Sequence, residues 1–268
     1  MKPPPLEHVA PASVEEAVAL LGEAGDEAKV LAGGQSLMPL LAFRLARPGL
    51  LVDLNRLGTE LGGVRREDGG GLRVGALARQ REVERAGLLG VLGEALGMVG
   101  HPAIRNRGTV VGSVCHADPA AEMCALAIAL DGSLELRSVR GTREVAVDDL
   151  LTGPFTTTVE PDELAVALRL RPPEGWRWRV LEVARRAGDF ALAGVVAGLD
   201  ATGERGRVAV FGAGPRTYRV EGAAAGLVDR AVDAAAPVGD LHGGAAYRRH
   251  LVGVVARRAL AQLGAAAA

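Results

Sequence analysis

The spacing of apolar residues predicts alternating short helices and strands at the start of the chain. Ser13 precedes Glu16 by three residues, as in a capping box, and an apolar stripe then continues to about residue 24. Residues 29–32 and 50–54 are predicted as strands, and residues 37–46 as a helix that Arg47 and Pro48 stop. This pattern indicates a small mixed α/β subdomain that ends near residue 57.

The next stretch predicts a second subdomain, over about residues 58–171. Residues 72–75 are predicted as a strand after a glycine turn, and residues 79–99 as helical with a break at Gly87. A strand is expected to end at Cys115, and Asp118 followed by Pro119 to start a helix that continues to about Leu130. A hairpin over residues 133–147 and a strand over residues 163–170 complete the subdomain.

Pro172, Pro173 and Gly175 predict a linker, after which the pattern changes again. Strands are predicted over residues 177–184, 190–199 and 208–211, and helices over residues 220–235 and 245–263. We therefore expect an α+β protein with domains at 1–171 and 176–268. The second domain should be a three-stranded antiparallel sheet with packed helices, and the final residues 265–268 should be frayed.

Composition excludes several classes of function. The chain has 268 residues, 49% of them hydrophobic, which indicates a globular protein with a substantial core. Its 31 basic and 32 acidic residues give a net charge of −1, which argues against nucleic-acid binding. No signal peptide or stretch long enough for membrane insertion is visible, so we expect a cytoplasmic protein. Cys115 and Cys124 are the only cysteines, too few for a four-cysteine iron–sulfur cluster, and no metal site is expected.

Two glycine-bearing segments carry the candidate chemistry. The first, residues 30–37, reads Val-Leu-Ala-Gly-Gly-Gln-Ser-Leu, the pattern of strand, tight loop and helix start. Paired glycines let consecutive backbone N–H groups converge on an anion such as phosphate. The segment matches neither the P-loop nor the dinucleotide fingerprint, and a plain glycine turn is the alternative. The second segment, residues 104–122, is unusually dense in polar residues: Asn106, Thr109, Ser113, His116 and Asp118.

The two segments together resemble a known family. Ala-Gly-Gly-Gln-Ser (32–36), Arg-Asn-Arg-Gly-Thr-Val-Val-Gly-Ser (105–113) and His-Ala-Asp-Pro-Ala-Ala-Glu (116–122) are similar to the FAD-binding signatures of the medium subunits of molybdenum hydroxylases. These subunits belong to carbon monoxide dehydrogenase, nicotine dehydrogenase and xanthine dehydrogenase. The resemblance continues through residues 153–158, 161–164, 185–191 and 247–249. It implies a two-subdomain FAD-binding fold of the vanillyl-alcohol-oxidase (PCMH) type, followed by the C-terminal domain.

The resemblance also implies the site and the role. FAD would lie between the two N-terminal subdomains and contact Val30, Ala32, Gly33, Gly34, Gln35, Ser36, Leu37, Asn106, Thr109, Gly112, Ser113, Cys115, His116, Asp118 and Ala165. No catalytic acid or base is implied. The chain would pass electrons from a small iron–sulfur subunit through FAD to an external acceptor. A large molybdenum-cofactor subunit would oxidise the substrate, and the complex would be a dimer of heterotrimers.

The sequence departs from the family pattern at several positions: Ser113 stands where the family has Asn, and a tyrosine usual before the Arg-Ala-Gly-Asp motif is missing, with Val180 or Leu181 nearby. Val111 stands where the family has a glycine, and a valine resists positive φ, so strain and weaker FAD binding are expected there if the family's loop needs that conformation. Ala165 stands where a larger apolar side chain usually covers the flavin. Two alternatives therefore stay open: a self-contained FAD-dependent oxidoreductase, and a non-catalytic module with a degenerate FAD site.

Overall fold

The computed structural model describes residues 2–264; the frayed end expected at residues 265–268 lies outside them. The strands are β1 Glu7–Val9, β2 Ala28–Leu31, β3 Leu50–Asp53, β4 Val64–Arg66, β5 Leu72–Gly75, β6 Ser133–Ser138, β7 Gly141–Ala146, β8 Leu151–Gly153, β9 Thr156–Thr157, β10 Leu164–Leu170, β11 Arg177–Ala184, β12 Ala191–Leu199, β13 Arg205–Phe211 and β14 Tyr218–Ala223. The α-helices are α1 Val14–Ala24, α2 Leu37–Ala42, α3 Gly58–Leu61, α4 Gln80–Ala86, α5 Gly90–Met98, α6 Pro102–Arg105, α7 Val110–His116, α8 Glu122–Ala129, α9 Val147–Leu150, α10 Leu227–Asp233 and α11 Ala245–Gln262.

A small parallel sheet in the order β1-β3-β2 begins the fold. Helix α1 packs on it through the apolar stripe that the sequence predicts, and its buried residues are Val14, Ala17, Val18 and Leu21. Ser13 caps α1 as expected, because its side chain accepts a hydrogen bond from the Glu16 N–H. The first glycine segment follows β2 directly, so this sheet fixes where the segment starts.

The second sheet is antiparallel, with five strands in the order β4-β5-β10-β6-β7. The connection from β5 to β6 contains helices α4 to α8, and α7 packs against both β5 and β10. Every residue of α8 is buried. This sheet and its helices therefore pack around the part of the second glycine segment that follows Arg107, while Ile104, Asn106 and Arg107 remain exposed.

The third sheet has four antiparallel strands in the order β11-β12-β13-β14, one more than expected. The sequence predicted a helix over 220–235, but residues 218–223 pair with β13 and only Leu227–Asp233 is helical. Helices α10 and α11 pack on this sheet around a second hydrophobic core. The α+β class is confirmed; the three-strand count was wrong, because tertiary pairing outweighed the apolar pattern of this segment.

Several boundaries also differ from the prediction. The helix expected over 37–46 ends at Ala42. The break expected at Gly87 in the helical stretch 79–99 is confirmed, since two helices are separated there and Gly87 has φ +61°. Strands β1, β4, β8 and β9 were not predicted. Within residues 2–264, no helix combines the length and the apolar character needed to cross a bilayer.

Candidate cofactor site

The first glycine segment forms the loop between β2 and α2. Gly34 has φ +73°, a left-handed conformation that favours glycine. The Asn55 side chain donates to the Ala32 carbonyl at 3.1 Å, and the Gln35 side chain donates to the Gly33 carbonyl at 3.2 Å. Four consecutive backbone N–H groups, of residues 33–36, donate to no residue in the described chain. Unpaired N–H groups in one loop make a concave site for an anion.

The second segment forms helix α7, where a strand ending at Cys115 was predicted. Thr109 is the N-cap, and its hydroxyl accepts from the Gly112 N–H at 3.1 Å. Val110, Val111 and Val114 form the buried face of the helix. The prediction was wrong because β-branched residues are common in strands, but here their helical spacing meets the core behind β10.

Val111 is accommodated without strain. It lies in the first turn of α7, is 2% exposed, and is absent from the non-glycine residues with positive φ. The expected conflict between a valine side chain and a left-handed loop therefore does not arise. Gly112 stands one residue further, where an added Cβ would meet only the Thr109 hydroxyl, at 2.6 Å.

The two segments touch each other through backbone. A Cβ added at Gly33 would lie 2.6 Å from the Arg107 carbonyl oxygen and 2.8 Å from the Gly108 Cα. No side chain fits at Gly33, because the nearest atoms belong to the backbone of residues 107–109 and cannot move aside as a side chain could. Two loops more than seventy positions apart in sequence thus form one continuous surface lined by glycine.

Arg79 and Asn55 connect the two segments, and neither residue was predicted to belong to the site. The Arg79 guanidinium donates to the Arg107 carbonyl at 2.7 Å and to the Asn55 side chain at 2.5 Å, while Asn55 donates to Ala32. Burial, followed by the charge of Arg107, lowers the pKa of Arg79. A partly buried cation at this junction complements an anionic ligand. Only the proximity of three separate segments reveals it, so no local motif could have indicated it.

The end of α7 brings His116 against an exposed aromatic ring. The rings of His116 and Phe155 lie 5.1 Å apart at 48°, and the Phe155 side chain remains exposed. Ala117 and Phe155 both have positive φ, and the Phe155 N–H donates to the Ala117 carbonyl at 2.9 Å. Burial lowers the pKa of His116, while the nearby Asp118 carboxylate opposes that shift. Left-handed conformations at two non-glycine residues store strain beside the second segment.

Asp118 does not cap helix α8, contrary to expectation. Its carboxylate accepts from the Ala120 N–H at 2.8 Å and so stabilises a turn, while the N-cap of α8 is Ala121. Asp118 is half-buried beside His116. The carboxylate can therefore still reach a ligand at the end of α7.

The remaining predicted residues lie at different depths around this surface. Ser36 and Asn106 are exposed, and Asn106 follows the last residue of α6. Ala165 lies half-buried on β10, opposite Leu136.

Burial raises the pKa of the Cys115 thiol to about 12, so this thiol is neutral and unreactive. Among residues 2–264, no three His, Cys, Asp or Glu side chains come together in a way that would hold a metal ion.

Two carboxyl groups with raised pKa values were also missed, one at the end of the second segment and one on the third sheet. Glu122, the first residue of α8, is 8% exposed, and burial raises its pKa to about 8. Glu182 lies on β11, and burial raises its pKa to about 7. Glu122 belongs to a motif of the sequence, but nothing local indicated that Glu122 would be buried or Glu182 half-buried.

The chain is similar in sequence to known proteins. Residues 4–172 match the family described as FAD binding domain in molybdopterin dehydrogenase. The chain is 37% identical, over 98% of its length and 95% of the relative's, to the 6-hydroxypseudooxynicotine dehydrogenase complex subunit alpha of Paenarthrobacter nicotinovorans. It is 35% identical to the carbon monoxide dehydrogenase medium chain of Hydrogenophaga pseudoflava, over 97% of both chains.

Solved structures are similar over nearly the whole chain. The carbon monoxide dehydrogenase structure from Hydrogenophaga pseudoflava superposes with a TM-score of 0.92 at 34% identity and covers 98% of both chains. Quinoline 2-oxidoreductase from Pseudomonas putida 86 superposes with a TM-score of 0.90 at 33% identity, again over 98% of both chains. The similarity therefore extends across the N-terminal sheet, the five-stranded sheet and the third sheet.

Proposed function

We propose that this chain passes electrons from a partner's iron–sulfur cluster, through FAD, to an external acceptor. The proposal starts from its family, because the chain belongs to the FAD-binding domains of molybdopterin dehydrogenases. The chain is an oxidoreductase subunit whose cofactor is FAD, and molybdenum and iron–sulfur centres belong to other subunits. FAD supplies a ring system that accepts and releases electrons. The chain's own residues bind the cofactor, orient it and set its surroundings.

The observation that carries the proposal is the contact of the two glycine segments at Gly33. The N–H groups of residues 33–36 lack partners in the described chain, and a pyrophosphate would supply acceptors for them. Arg79 adds positive charge at the junction of the segments. An extended dinucleotide suits a surface built from two segments better than a single phosphate does.

Each of the fifteen residues inferred from the resemblance remains part of this proposal. The first segment would hold the pyrophosphate through its backbone N–H groups. Thr109, Gly112 and Ser113 would contact the other side of the cofactor. His116 and Asp118 would lie further along the cofactor, because they follow at the far end of α7. We also propose that the chain divides into domains at 1–171 and 176–268, with the cofactor in the first.

The chain functions within a hetero-oligomer, as its relatives are named subunits and chains of complexes. We propose a small iron–sulfur subunit and a large molybdenum-cofactor subunit as partners, in a dimer of heterotrimers. The organic substrate would then react on the large subunit. On that basis the isolated chain should bind FAD but should not oxidise the substrate of the complex.

A pair of glycine variants tests the proposal. The purified chain should show a flavin spectrum, and heat should release FAD. Gly33→Ala places a Cβ 2.6 Å from a backbone oxygen and should weaken FAD binding at least tenfold. The matched control is Gly97→Ala in α5, where a Cβ would meet nothing within 4 Å. A colourless parent protein that takes up no added FAD would refute the proposal, as would equal FAD affinity in both variants.

A further inference from the structure

Helix α2 and the turn that ends it expose an apolar surface. Every residue of α2 is apolar, yet only Leu41 is buried. Met38, Phe43 and Leu45 are 47%, 65% and 75% exposed, and they are three of the ten large apolar side chains that are exposed in the described chain. We call these three residues the α2 patch. Exposed apolar residues that are scattered singly need no explanation, but a cluster of them marks an interaction surface.

The backbone holds the side chains of the α2 patch close together. The Leu45 N–H donates to the Leu40 carbonyl at 2.9 Å, so the chain turns back at the end of α2. Arg44, between Phe43 and Leu45, has φ +57°, the left-handed conformation with which helices commonly end. A helix of this length spans only about 9 Å, so the α2 patch forms one continuous surface.

Cations border the α2 patch. Arg44 and Arg47 are exposed, and their Nε atoms donate to the backbone carbonyls of Lys2 at 3.5 Å and of Arg44 at 3.1 Å. Within residues 2–264 neither guanidinium forms an ion pair, unlike Arg169 of β10, which binds Glu135 at 3.2 Å. The whole chain has a net charge of −1, so this positive edge is local. It complements an acidic surface on a partner.

The α2 patch begins beside the first glycine segment. The Met38 N–H donates to the Gly34 carbonyl at 3.0 Å, and a Cβ added at Gly34 would lie 3.1 Å from the Met38 Cγ. A protein seated on the α2 patch would therefore also lie next to the loop that is proposed to hold FAD.

The size of the α2 patch suits the centre of an interface. A standard interface buries about 800 Å² on each partner, which is more than three side chains can supply. A few large side chains at its centre carry most of the binding energy, while polar residues form the rim. Phe43 and Leu45 fit the first role, and Arg44 and Arg47 fit the second.

We propose that the α2 patch and its positive edge are the docking surface for the iron–sulfur subunit, which would present an apolar surface bordered by carboxylates. This inference rests on the proposed function and locates one partner on this chain. Electron transfer between redox centres slows steeply with distance, so the subunit that delivers electrons must lie beside the cofactor. The molybdenum subunit has no such requirement, because its electrons reach FAD through the iron–sulfur subunit. A second copy of this chain fits less well, because two positive edges would repel each other.

Dissociation of the native complex tests the docking surface. The complex is purified from its native host through a tag on this chain, diluted stepwise and separated by size. Iron and acid-labile sulfide in the fractions that contain this chain report the bound iron–sulfur subunit. Phe43→Ser combined with Leu45→Ser should shift the dissociation midpoint about a hundredfold, because each change removes an anchor worth about tenfold in affinity. The matched control, Val139→Ser combined with Leu241→Ser, changes side chains that are 66% and 100% exposed and should leave the midpoint unchanged.

Arg47→Glu tests the positive edge separately. It should weaken association about tenfold at low salt and much less at high salt, because exposed charges are screened. Arg257→Glu, at an exposed arginine of α11, is the control and should have no effect. The melting temperature of each isolated chain shows whether it folds, and Arg47→Glu decides the question if the double variant does not.

Equal midpoints for the double variant and its control would overturn the docking surface while the proposed function stands. The docking surface would also be wrong if the double variant lost molybdenum but kept iron, or if the isolated parent were a dimer that the double variant dissociates. In both cases the α2 patch would bind a different partner. If the tagged parent carries no iron at all, the proposed function fails, and the docking surface fails with it.

Discussion

Arg207 joins α8 to the third sheet, and its removal should destabilise the whole chain. Its guanidinium binds Glu221 at 2.8 Å, Asp131 at 2.9 Å and the Ala129 carbonyl at 2.6 Å, and the side chain is 7% exposed. Arg207→Met keeps most of the apolar stem but leaves two carboxylates and a carbonyl without their shared donor. Both carboxylates are partly exposed and can be rehydrated, so the loss is that of charge-assisted hydrogen bonds to a buried guanidinium, about 1.5–3 kcal/mol.

That cost converts into a measurable shift in melting temperature. An unfolding entropy of about 2.1 cal/mol/K per residue gives about 0.56 kcal/mol/K for this length of chain. A loss of about 2 kcal/mol therefore predicts that Tm falls by about 4 °C.

The matched control is Arg205→Met, on the same strand. Arg205 is 68% exposed and contacts Glu221 only at 3.9 Å, so its removal should lower Tm by less than about 1 °C. Scanning calorimetry of the two variants and the parent, at one pH and salt concentration, gives the comparison. Equal melting temperatures for Arg207→Met and Arg205→Met would refute the conclusion that Arg207 couples α8 to the third sheet.

Two further predictions concern the cofactor site. Burial raises the pKa of Glu122 to about 8, so the folded state binds this proton more tightly than the unfolded state does, and the free energy of unfolding should decrease as pH rises from 4.5 to about 8. Urea titrations should show that Glu122→Gln removes much of this decrease. If the variant and the parent have the same pH profile, the argument from burial is contradicted. Arg79→Met removes the cation and two hydrogen bonds at the junction of the glycine segments, so it should weaken FAD binding about tenfold in fluorescence titrations. An unchanged affinity would show that Arg79 has only a structural role.

Local sequence signals correctly predicted those helices, strands and turns whose structure depends mainly on their own residues. The capping box at Ser13 predicted the start of α1, and the apolar run after the proline linker predicted β11 with its observed ends. Gly87 was placed correctly as the break between two helices, because its left-handed conformation is a local property. The first glycine segment was likewise predicted as a strand, a loop and a helix.

Elements determined by distant contacts were predicted less well. The valines of α7 have a strand-like composition, and only the core behind β10 shows that they form one face of a helix. Thr109 three residues before Gly112 was an available capping signal for that helix. Arg79 contacts Asn55 and Arg107, which lie in other parts of the chain, and Glu122 is buried by packing against distant residues, so the sequence alone could not reveal either feature.

The central position of β10 in the second sheet also has a consequence for the order of folding. Leu164–Leu170 lies between β5 and β6, which are complete by Gly75 and Ser138. During synthesis, both glycine segments therefore emerge long before the strand on which α7 packs. A nascent chain shorter than this point exposes the edges of β5 and β6, which invite non-native pairing. Maturation of the cofactor pocket should thus be a late, non-local event, and chaperone binding should be strongest just before β10 is released.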